Sequence, residues 1–130
     1  MIVDTSVVVS IATDEPGALD LLRKLHEAPT RLMSVASAAE ACLVLVGRLG
    51  VGGRSDLDAL LRHLKIELVP VDAEQCAVAQ EAGVRFGKGR HGTALNFGDC
   101  FSHALAAVLN DALLCTGHDF AQTDIAVVQR

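Results

Sequence analysis

Four acidic residues of this chain lie beside predicted boundaries of strands or helices: Asp4, Glu40, Asp99 and Asp119. Asp4 directly follows an apolar, strand-like start, where acidic residues are depleted and seldom buried without a partner. Clustered carboxylates repel one another unless a metal ion or protons neutralise them. Their oxygens suit a hard cation such as Mg²⁺ or Mn²⁺, which can generate a hydroxide nucleophile and neutralise charge on a phosphate. The four acids therefore predict a cation site.

The elements that would bring these acids together alternate between strands and helices. The predicted strands are residues 2–3, 31–34, 66–71, 112–115 and 125–128, and the predicted helices begin near residues 14, 37, 55, 72 and 96. This order predicts a three-layer α/β/α domain with a central, mostly parallel sheet, in which ligands bind beyond the carboxyl ends of the strands. Asp4 and Asp119 follow strands, and Glu40 and Asp99 are expected in first helical turns, so all four can meet at this edge.

Composition narrows the class of protein. We expect a single domain over residues 1–130 with an aliphatic core, because 51% of the residues are hydrophobic and only 3% are aromatic. The longest apolar stretch, residues 41–46, is far shorter than the roughly 18 residues of a membrane-spanning helix. The N-terminus lacks the basic start of a secretory signal, and the four scattered cysteines favour reduced thiols in the cytoplasm. The net charge of −5 argues against a broadly basic nucleic-acid-coating surface, although not against an enzyme that acts on nucleic acid.

Four segments that contain the acids also resemble the motifs of a known family. They are Met1-Ile2-Val3-Asp4-Thr5-Ser6, Glu40 early in a helix, Asn96-Phe97-Gly98-Asp99-Cys100 and Thr116-Gly117-His118-Asp119-Phe120. In this order and at this spacing they resemble PIN-domain ribonucleases, and most closely the VapC toxins of bacterial toxin–antitoxin pairs. Each motif alone is weak, whereas the four together span essentially the whole chain and are specific.

The resemblance implies a reaction and a role for each acid. It implies a Mg²⁺-dependent endoribonuclease, with Mn²⁺ able to substitute, that cuts single-stranded regions of RNA and leaves 5′-phosphate and 3′-hydroxyl ends. Asp4 and Asp99 would be direct metal ligands. Glu40 would position or deprotonate the attacking water, and Asp119 would complete the shell or hold a second ion.

The resemblance also implies residues that contact the substrate. Thr5 or Ser6 is expected to hydrogen-bond a substrate phosphate, and Asn96 to orient the carboxylate three residues after it. Lys88 and Arg90 lie in a basic, glycine-rich segment that cannot be regular structure. Such a segment could simply be a solvated loop, but beside an acidic metal site it is better explained as a clamp on RNA phosphates.

Partners follow from the same resemblance. They are RNA, a cognate antitoxin protein and a second copy of the chain in a homodimer, with no membrane. Ala41, Leu45 and Val46 lie on a helix that is apolar nearly all round, and such a helix must be covered by the core or by a partner. We expect part of this helix to form a dimer face or an antitoxin groove.

Each acid also has an ordinary structural explanation. Glu40 could complete a capping box with Ser37, Asp99 could favour its helix dipole, and Asp119 could be a turn residue. Two other functions stay open. A phosphatase could use Asp4 as its nucleophile, although the position two residues later is not acidic, as it usually is in such enzymes. The chain could also be a catalytically silent PIN-like module that binds RNA or protein.

Overall fold

The computed structural model describes residues 1–87, 89 and 94–128. Its elements are, in chain order, β1 (Ile2–Val3), α1 (Thr5–Ala12), α2 (Ala18–Glu27), β2 (Leu32–Ser34), α3 (Val35–Leu49), α4 (Gly53–His63), β3 (Glu67–Val69), α5 (Ala73–Phe86), α6 (Phe97–Leu109) and β4 (Leu113–Leu114). No helix within these described ranges is both long enough and apolar enough to cross a membrane.

The four strands form one parallel sheet in the order β3-β2-β1-β4. Ile2 in β1 pairs with Leu32 of β2 and with Leu113 of β4, so β1 is a central strand. Since all four strands run the same way, their carboxyl ends meet at one edge, where Asp4 begins. The fifth strand that was predicted at residues 125–128 is wrong as a strand, because only an isolated parallel bridge joins Val127 to Leu113.

Helices cover both faces of this sheet and give two apolar cores. Helices α1 to α4 pack on one face around side chains such as Val7, Leu21 and Leu45. Helices α5 and α6 pack on the other face around Phe86 and Leu105. Strands buried on both faces read as short apolar runs, which is why β1 and β4 were visible in the sequence. The predicted three-layer α/β/α fold is confirmed.

The turn from β1 into α1 was not predicted. Asp4 is the N-cap of α1, and its side chain accepts a hydrogen bond from Ser6 N at 3.1 Å. The β-branched residues of α1 disfavour a helix by intrinsic propensity. Val7 and Val8 are nevertheless fully buried, and this burial outweighs the propensity. The helix expected from residue 14 begins instead at Ala18.

Helices α3 and α4 begin earlier than predicted. The N-cap of α3 is Ser34, so the alternative explanation of Glu40 as part of a capping box with Ser37 is wrong. Helix α4 begins at Gly53, and Ser55 lies inside it rather than capping it.

The exposed apolar surface of α3 is narrower than its composition suggested. Ala41 and Leu45 are fully buried in the core between α3 and its neighbours, and Val46 is partly buried. Leu43, by contrast, is 75% exposed. Any partner surface on α3 therefore has to be built from the outer side chains such as Leu43.

Candidate active site

Asp4 is held at the carboxyl end of β1 by hydrogen bonds to both of its carboxylate oxygens. Ser6 N and Ser6 Oγ donate to Oδ2 at 3.1 and 2.7 Å, and Ser102 Oγ donates to Oδ1 at 2.5 Å. Asp4 is only 4% exposed. A buried carboxylate is tolerated where such hydrogen bonds replace those to water. Asp4 is thus fixed in one orientation at the edge of the sheet.

Asp99 lies in the first turn of α6 and forms a capping box with Asn96. Asp99 N donates to Asn96 Oδ1 at 2.9 Å, and Asn96 N donates to Asp99 Oδ2 at 3.0 Å. Asn96 therefore orients Asp99, an arrangement that the family resemblance implied. Asp99 also has an ordinary structural role at the start of α6, because the capping box satisfies two backbone donors, Asp99 N and Asn96 N.

Glu40 reaches the start of α6 from the second turn of α3, not from the first turn as predicted. A β-carbon at Gly98 would overlap the carboxylate of Glu40, so this carboxylate lies directly on Gly98. Gly98 precedes Asp99 in the chain. The packing of α3 beside α6 therefore brings the Glu40 carboxylate next to the backbone that carries Asp99.

Negative charge is concentrated around Asp99. The pKa of Asp99 is raised to about 6, and burial is the largest cause. The backbone hydrogen bond from Asn96 lowers this pKa, whereas the charges of Asp4, Asp119 and Glu40 raise it. Asp119 itself is exposed to solvent. The three other predicted acids thus all act electrostatically on Asp99 at the same edge of the sheet.

The four carboxylates share an electrostatic environment without forming a tight ligand shell. In the part of the chain that the structure describes, no three Asp, Glu, His or Cys side chains are placed to hold one ion jointly. Mutual repulsion opposes a closer approach of like charges. The donor set consists of carboxylate oxygens, which suit a hard cation such as Mg²⁺ or Mn²⁺ better than a thiolate-preferring ion.

The hydroxyls of Thr5 and Ser6 serve the protein itself. Thr5 is 8% exposed, and its Oγ1 donates to Ser37 O at 2.9 Å. Ser6 Oγ donates to Asp4 and accepts from Thr116 N at 3.0 Å, which fastens the segment after β4 beside α1. In this arrangement both hydroxyl protons are donated within the protein, whereas the family resemblance implies that one of them bonds a substrate phosphate.

The predicted RNA clamp, Lys88 and Arg90, lies outside the described residues. Arg85, which precedes this segment at the end of α5, pairs with Asp124 at 3.2 Å. Asp124 also contacts His103 Nε2 at 2.9 Å. Asp124 therefore joins the segment after β4 to α5 and α6.

Sequence reasoning missed three residues of the site: Ser37, Ser102 and Gly98. Ser37 and Ser102 are completely buried, and their Oγ atoms lie 3.0 Å apart. Their spacing could have revealed them. Each serine lies three residues from a predicted acid on the same helix, and side chains at that spacing share a face. Gly98 lies within a quoted motif, but the sequence did not show why glycine is needed there. The Glu40 carboxylate occupies the space that a β-carbon would fill.

Comparison with known proteins finds the same family over nearly the whole chain. The family model for the PIN domain matches residues 1–126. "Ribonuclease VapC" of Mycolicibacterium smegmatis is 46% identical over 128 residues, which cover 98% of this chain and 99% of that protein.

Solved structures share the fold at lower sequence identity. VapC20 of Mycobacterium tuberculosis, described as a sarcin–ricin loop cleaving toxin, superposes with a TM-score of 0.81 at 18% identity, covering 98% of this chain and 97% of that one. A toxin–antitoxin complex from Klebsiella pneumoniae contains a chain that superposes with a TM-score of 0.73 at 16% identity, covering 98% and 95%. At such identities the likeness is one of fold.

Proposed function

This chain belongs to the VapC ribonucleases of the PIN-domain family, and on that basis we propose that it is the Mg²⁺-dependent endoribonuclease toxin of a type II toxin–antitoxin pair. The proposed reaction hydrolyses a phosphodiester bond in a single-stranded region of RNA and leaves a 5′-phosphate and a 3′-hydroxyl. One observation carries the proposal. The charges of Asp4, Glu40 and Asp119 all bear on Asp99 and help to raise its pKa to about 6, a concentration of charge that a divalent cation would relieve.

Each acid has a distinct part in the proposed site. Asp4 and Asp99 would hold the cation, because hydrogen bonds orient both carboxylates. Asp4 is held through both of its oxygens, and Asp99 is held through Oδ2 by its capping box. Glu40, which lies on Gly98 beside them, would position or deprotonate the attacking water. Asp119 is exposed and would complete the site from the solvent side.

Mg²⁺ is the proposed cofactor, and Mn²⁺ would substitute for it. The donors are carboxylate oxygens, which fit a hard cation. When bound, such a cation would activate water and neutralise charge on the phosphate. The rest of the chemistry falls to the chain, which orients Asp4 through serine hydroxyls and Asp99 through Asn96.

The RNA backbone would be held by basic side chains rather than by the hydroxyls after β1. Because the protons of Thr5 and Ser6 are already donated within the protein, we assign the phosphate contacts to Lys88 and Arg90. Exposed Asn96 lies next to the site and is a further candidate to contact RNA. Contacts of Lys88 and Arg90 with phosphates would give affinity without sequence preference.

A cognate antitoxin is the proposed protein partner, alongside a homodimer in the cytoplasm. The relatives of known structure include a toxin–antitoxin complex, which supports this partner. An arginine of the antitoxin could pair with the site carboxylates and displace the cation. Saturating antitoxin should then weaken Mn²⁺ binding in a calorimetric titration, and an unchanged Mn²⁺ affinity would count against this mode of inhibition.

Cleavage of end-labelled single-stranded RNA tests the proposed reaction. Cleavage is expected from the parent with Mg²⁺ and is expected to disappear with EDTA and in Asp99→Asn. The amide oxygen of Asn can still accept the hydrogen bond from Asn96, so this variant removes charge while it keeps the cap. Asp58→Asn, on an exposed position of α4, is the control that should cleave like the parent.

The ends of the products test the chemistry further. An adaptor can be ligated only to a 5′-phosphate, so ligation to the downstream fragment is expected to succeed. Cleavage that persists in EDTA or in Asp99→Asn would indicate a contaminating nuclease. RNA binding without cleavage across a broad set of RNAs would instead favour the catalytically silent module.

A further inference from the structure

Two serines connect the helices that carry the acids to the buried carboxylate of Asp4. Ser102 Oγ lies 2.5 Å from Asp4 Oδ1, and Ser37 Oγ lies 3.0 Å from Ser102 Oγ. Both serine side chains are completely buried. Ser102 follows Asp99 by three residues on α6, and Ser37 precedes Glu40 by three residues on α3. Each serine therefore lies one helical turn from an acid of the site.

The protons of these two hydroxyls can be ordered in only one direction. A carboxylate accepts hydrogen bonds and has none to donate, so the single proton of Ser102 points to Asp4. Ser102 Oγ must then accept the proton of Ser37. In the order Ser37 to Ser102 to Asp4 each hydroxyl proton has one acceptor, while Ser6 holds the other oxygen of Asp4.

We propose that Ser102, itself oriented by Ser37, is a positioning residue that holds Asp4 Oδ1 for the cation. This inference rests on the proposed function and deepens it. Ser6 constrains only Oδ2, so without Ser102 the buried carboxylate of Asp4 loses the hydrogen bond that fixes its rotation. Partners that orient a metal-ligating carboxylate typically change metal affinity by about 10–100-fold when they are removed.

A purely structural role for Ser102 makes a different prediction. Both serines are buried polar groups, and burial alone requires that their hydroxyls be hydrogen-bonded. If this were their only role, removing one of them would lower the stability of the fold without a selective loss of metal affinity. The two roles are therefore separated by metal binding rather than by stability.

Mn²⁺ binding to the purified full chain, measured by isothermal titration calorimetry, tests the proposal. Ser102→Ala should weaken Mn²⁺ binding about 10–100-fold. The matched control is Ser10→Ala, because Ser10 is 4% exposed and its hydroxyl donates to the Glu15 carboxylate at 3.0 Å, in a contact that includes none of the site acids. Its Mn²⁺ Kd should equal that of the parent. A parent-like Kd for Ser102→Ala overturns the proposal, and so does equal weakening by both variants.

Ser37 tests the direction of the hydrogen-bonded chain. Ser37→Ala should weaken Mn²⁺ binding less than Ser102→Ala does, and it should add nothing in the double variant, because Ser37 acts only through Ser102. Independent, additive losses would overturn the ordered chain. If circular dichroism in EDTA shows that Ser102→Ala is unfolded, Ser37→Ala decides the question, and a parent-like Kd for it is then the overturning result.

Asp99→Asn, measured in parallel, separates this inference from the proposed function. A parent chain that neither binds Mn²⁺ nor cleaves RNA counts against both proposals. If the parent binds and cleaves, Asp99→Asn is defective and Ser102→Ala behaves like the parent, then only the positioning role of Ser102 is lost.

Discussion

Asp99 serves the fold and the proposed chemistry at the same time. Its Oδ2 accepts from Asn96 N and completes the cap of α6. The same side chain lies where burial and three neighbouring acids raise its pKa to about 6. Because the cap holds the Asp99 side chain in place, the carboxylate stays in surroundings that disfavour its negative charge. In the metal-free protein this charge is therefore a source of instability that a cation would remove.

The contribution of Asp99 to the stability of the metal-free protein should consequently fall as the pH rises from 3.8 to about 6. In that interval the unfolded chain ionises Asp99 while the folded protein keeps it protonated, so deprotonation favours unfolding. After a discount for partial exposure, the loss is about 1–2 kcal/mol. Urea unfolding in EDTA measures it as the difference between the parent and Asp99→Asn, with Asp58→Asn as control. A difference that is the same in acid and at neutral pH would refute this explanation.

Gly98 gives a second prediction at the scale of single residues. Gly98→Ala should push the Glu40 carboxylate away, because a β-carbon would occupy its place. The displaced group is the end of a flexible side chain, and Ala favours a helix by up to about 1 kcal/mol over Gly, so the melting temperature should change little. Misplacement of a catalytic group by about 1 Å can cost about 100-fold in rate, and a loss of this order is expected in single-turnover cleavage.

Gly47→Ala on α3 is the matched control, since nothing lies within 4 Å of its added β-carbon. It should cleave RNA like the parent and be at least as stable. If Gly98→Ala also cleaves at the parental rate, the position of Glu40 is not important for the reaction.

At the scale of elements, the sequence predicted features that depend on neighbouring residues and missed those that depend on distant ones. The start of α5 near residue 72 was predicted correctly because its cap is local: the Asp72 side chain accepts a hydrogen bond from Gln75 N. Helix α1 was missed because burial of its valines overrides their propensity. The roles of Ser37 and Ser102 were also missed, because their decisive partners lie 65 and 98 residues away in the chain. Only the packing of α6 against α3 and β1 creates these contacts.

The Asp124 side chain joins three parts of the molecule: the segment after β4, α5 and α6. Asp124, in the segment after β4, contacts Arg85 of α5 at 3.2 Å and His103 of α6 at 2.9 Å. Partial burial alone would raise the pKa of Asp124, but hydrogen bonds from His103, from the backbone and from Arg85 outweigh it and hold this pKa below its usual value. Ionised Asp124 therefore stabilises the contact between these elements.

Asp124→Asn should destabilise the protein at neutral pH by about 0.5–1 kcal/mol, a modest value because the side chain is 51% exposed. A depressed pKa contributes stability that is present above the ordinary value of 3.8 and disappears as the pH falls through the folded value. The stability difference between parent and variant should therefore shrink in acid. Urea unfolding at neutral and acidic pH measures it, and an equal difference at both would contradict the assignment.

At the scale of the whole molecule, the parallel sheet explains why distant residues form one site. Strands β1 and β4 are neighbours and end at the same edge, and α3 and α6 begin on that side. The sequence predicted this convergence from the order of strands and helices, and the family resemblance assigned a role to each acid. The net charge of −5 adds to the repulsion that an RNA phosphate would meet at the acids. A cation would therefore relieve both the repulsion within the site and that between site and substrate.

This leads to a prediction for the stability of the whole protein. A ligand that binds only the folded state adds about 2.7 kcal/mol when its concentration is 100-fold above Kd, so Mg²⁺ should raise the melting temperature of the parent by several degrees. Asp99→Asn should begin with a higher melting temperature in EDTA at neutral pH, because it lacks the disfavoured charge, and should gain little from Mg²⁺. Calorimetric melts at matched ionic strength measure both effects, with Asp58→Asn expected to respond like the parent. Equal Mg²⁺ shifts in the parent and in Asp99→Asn would mean that the ion binds elsewhere, and that the acids around Asp99 do not form its site.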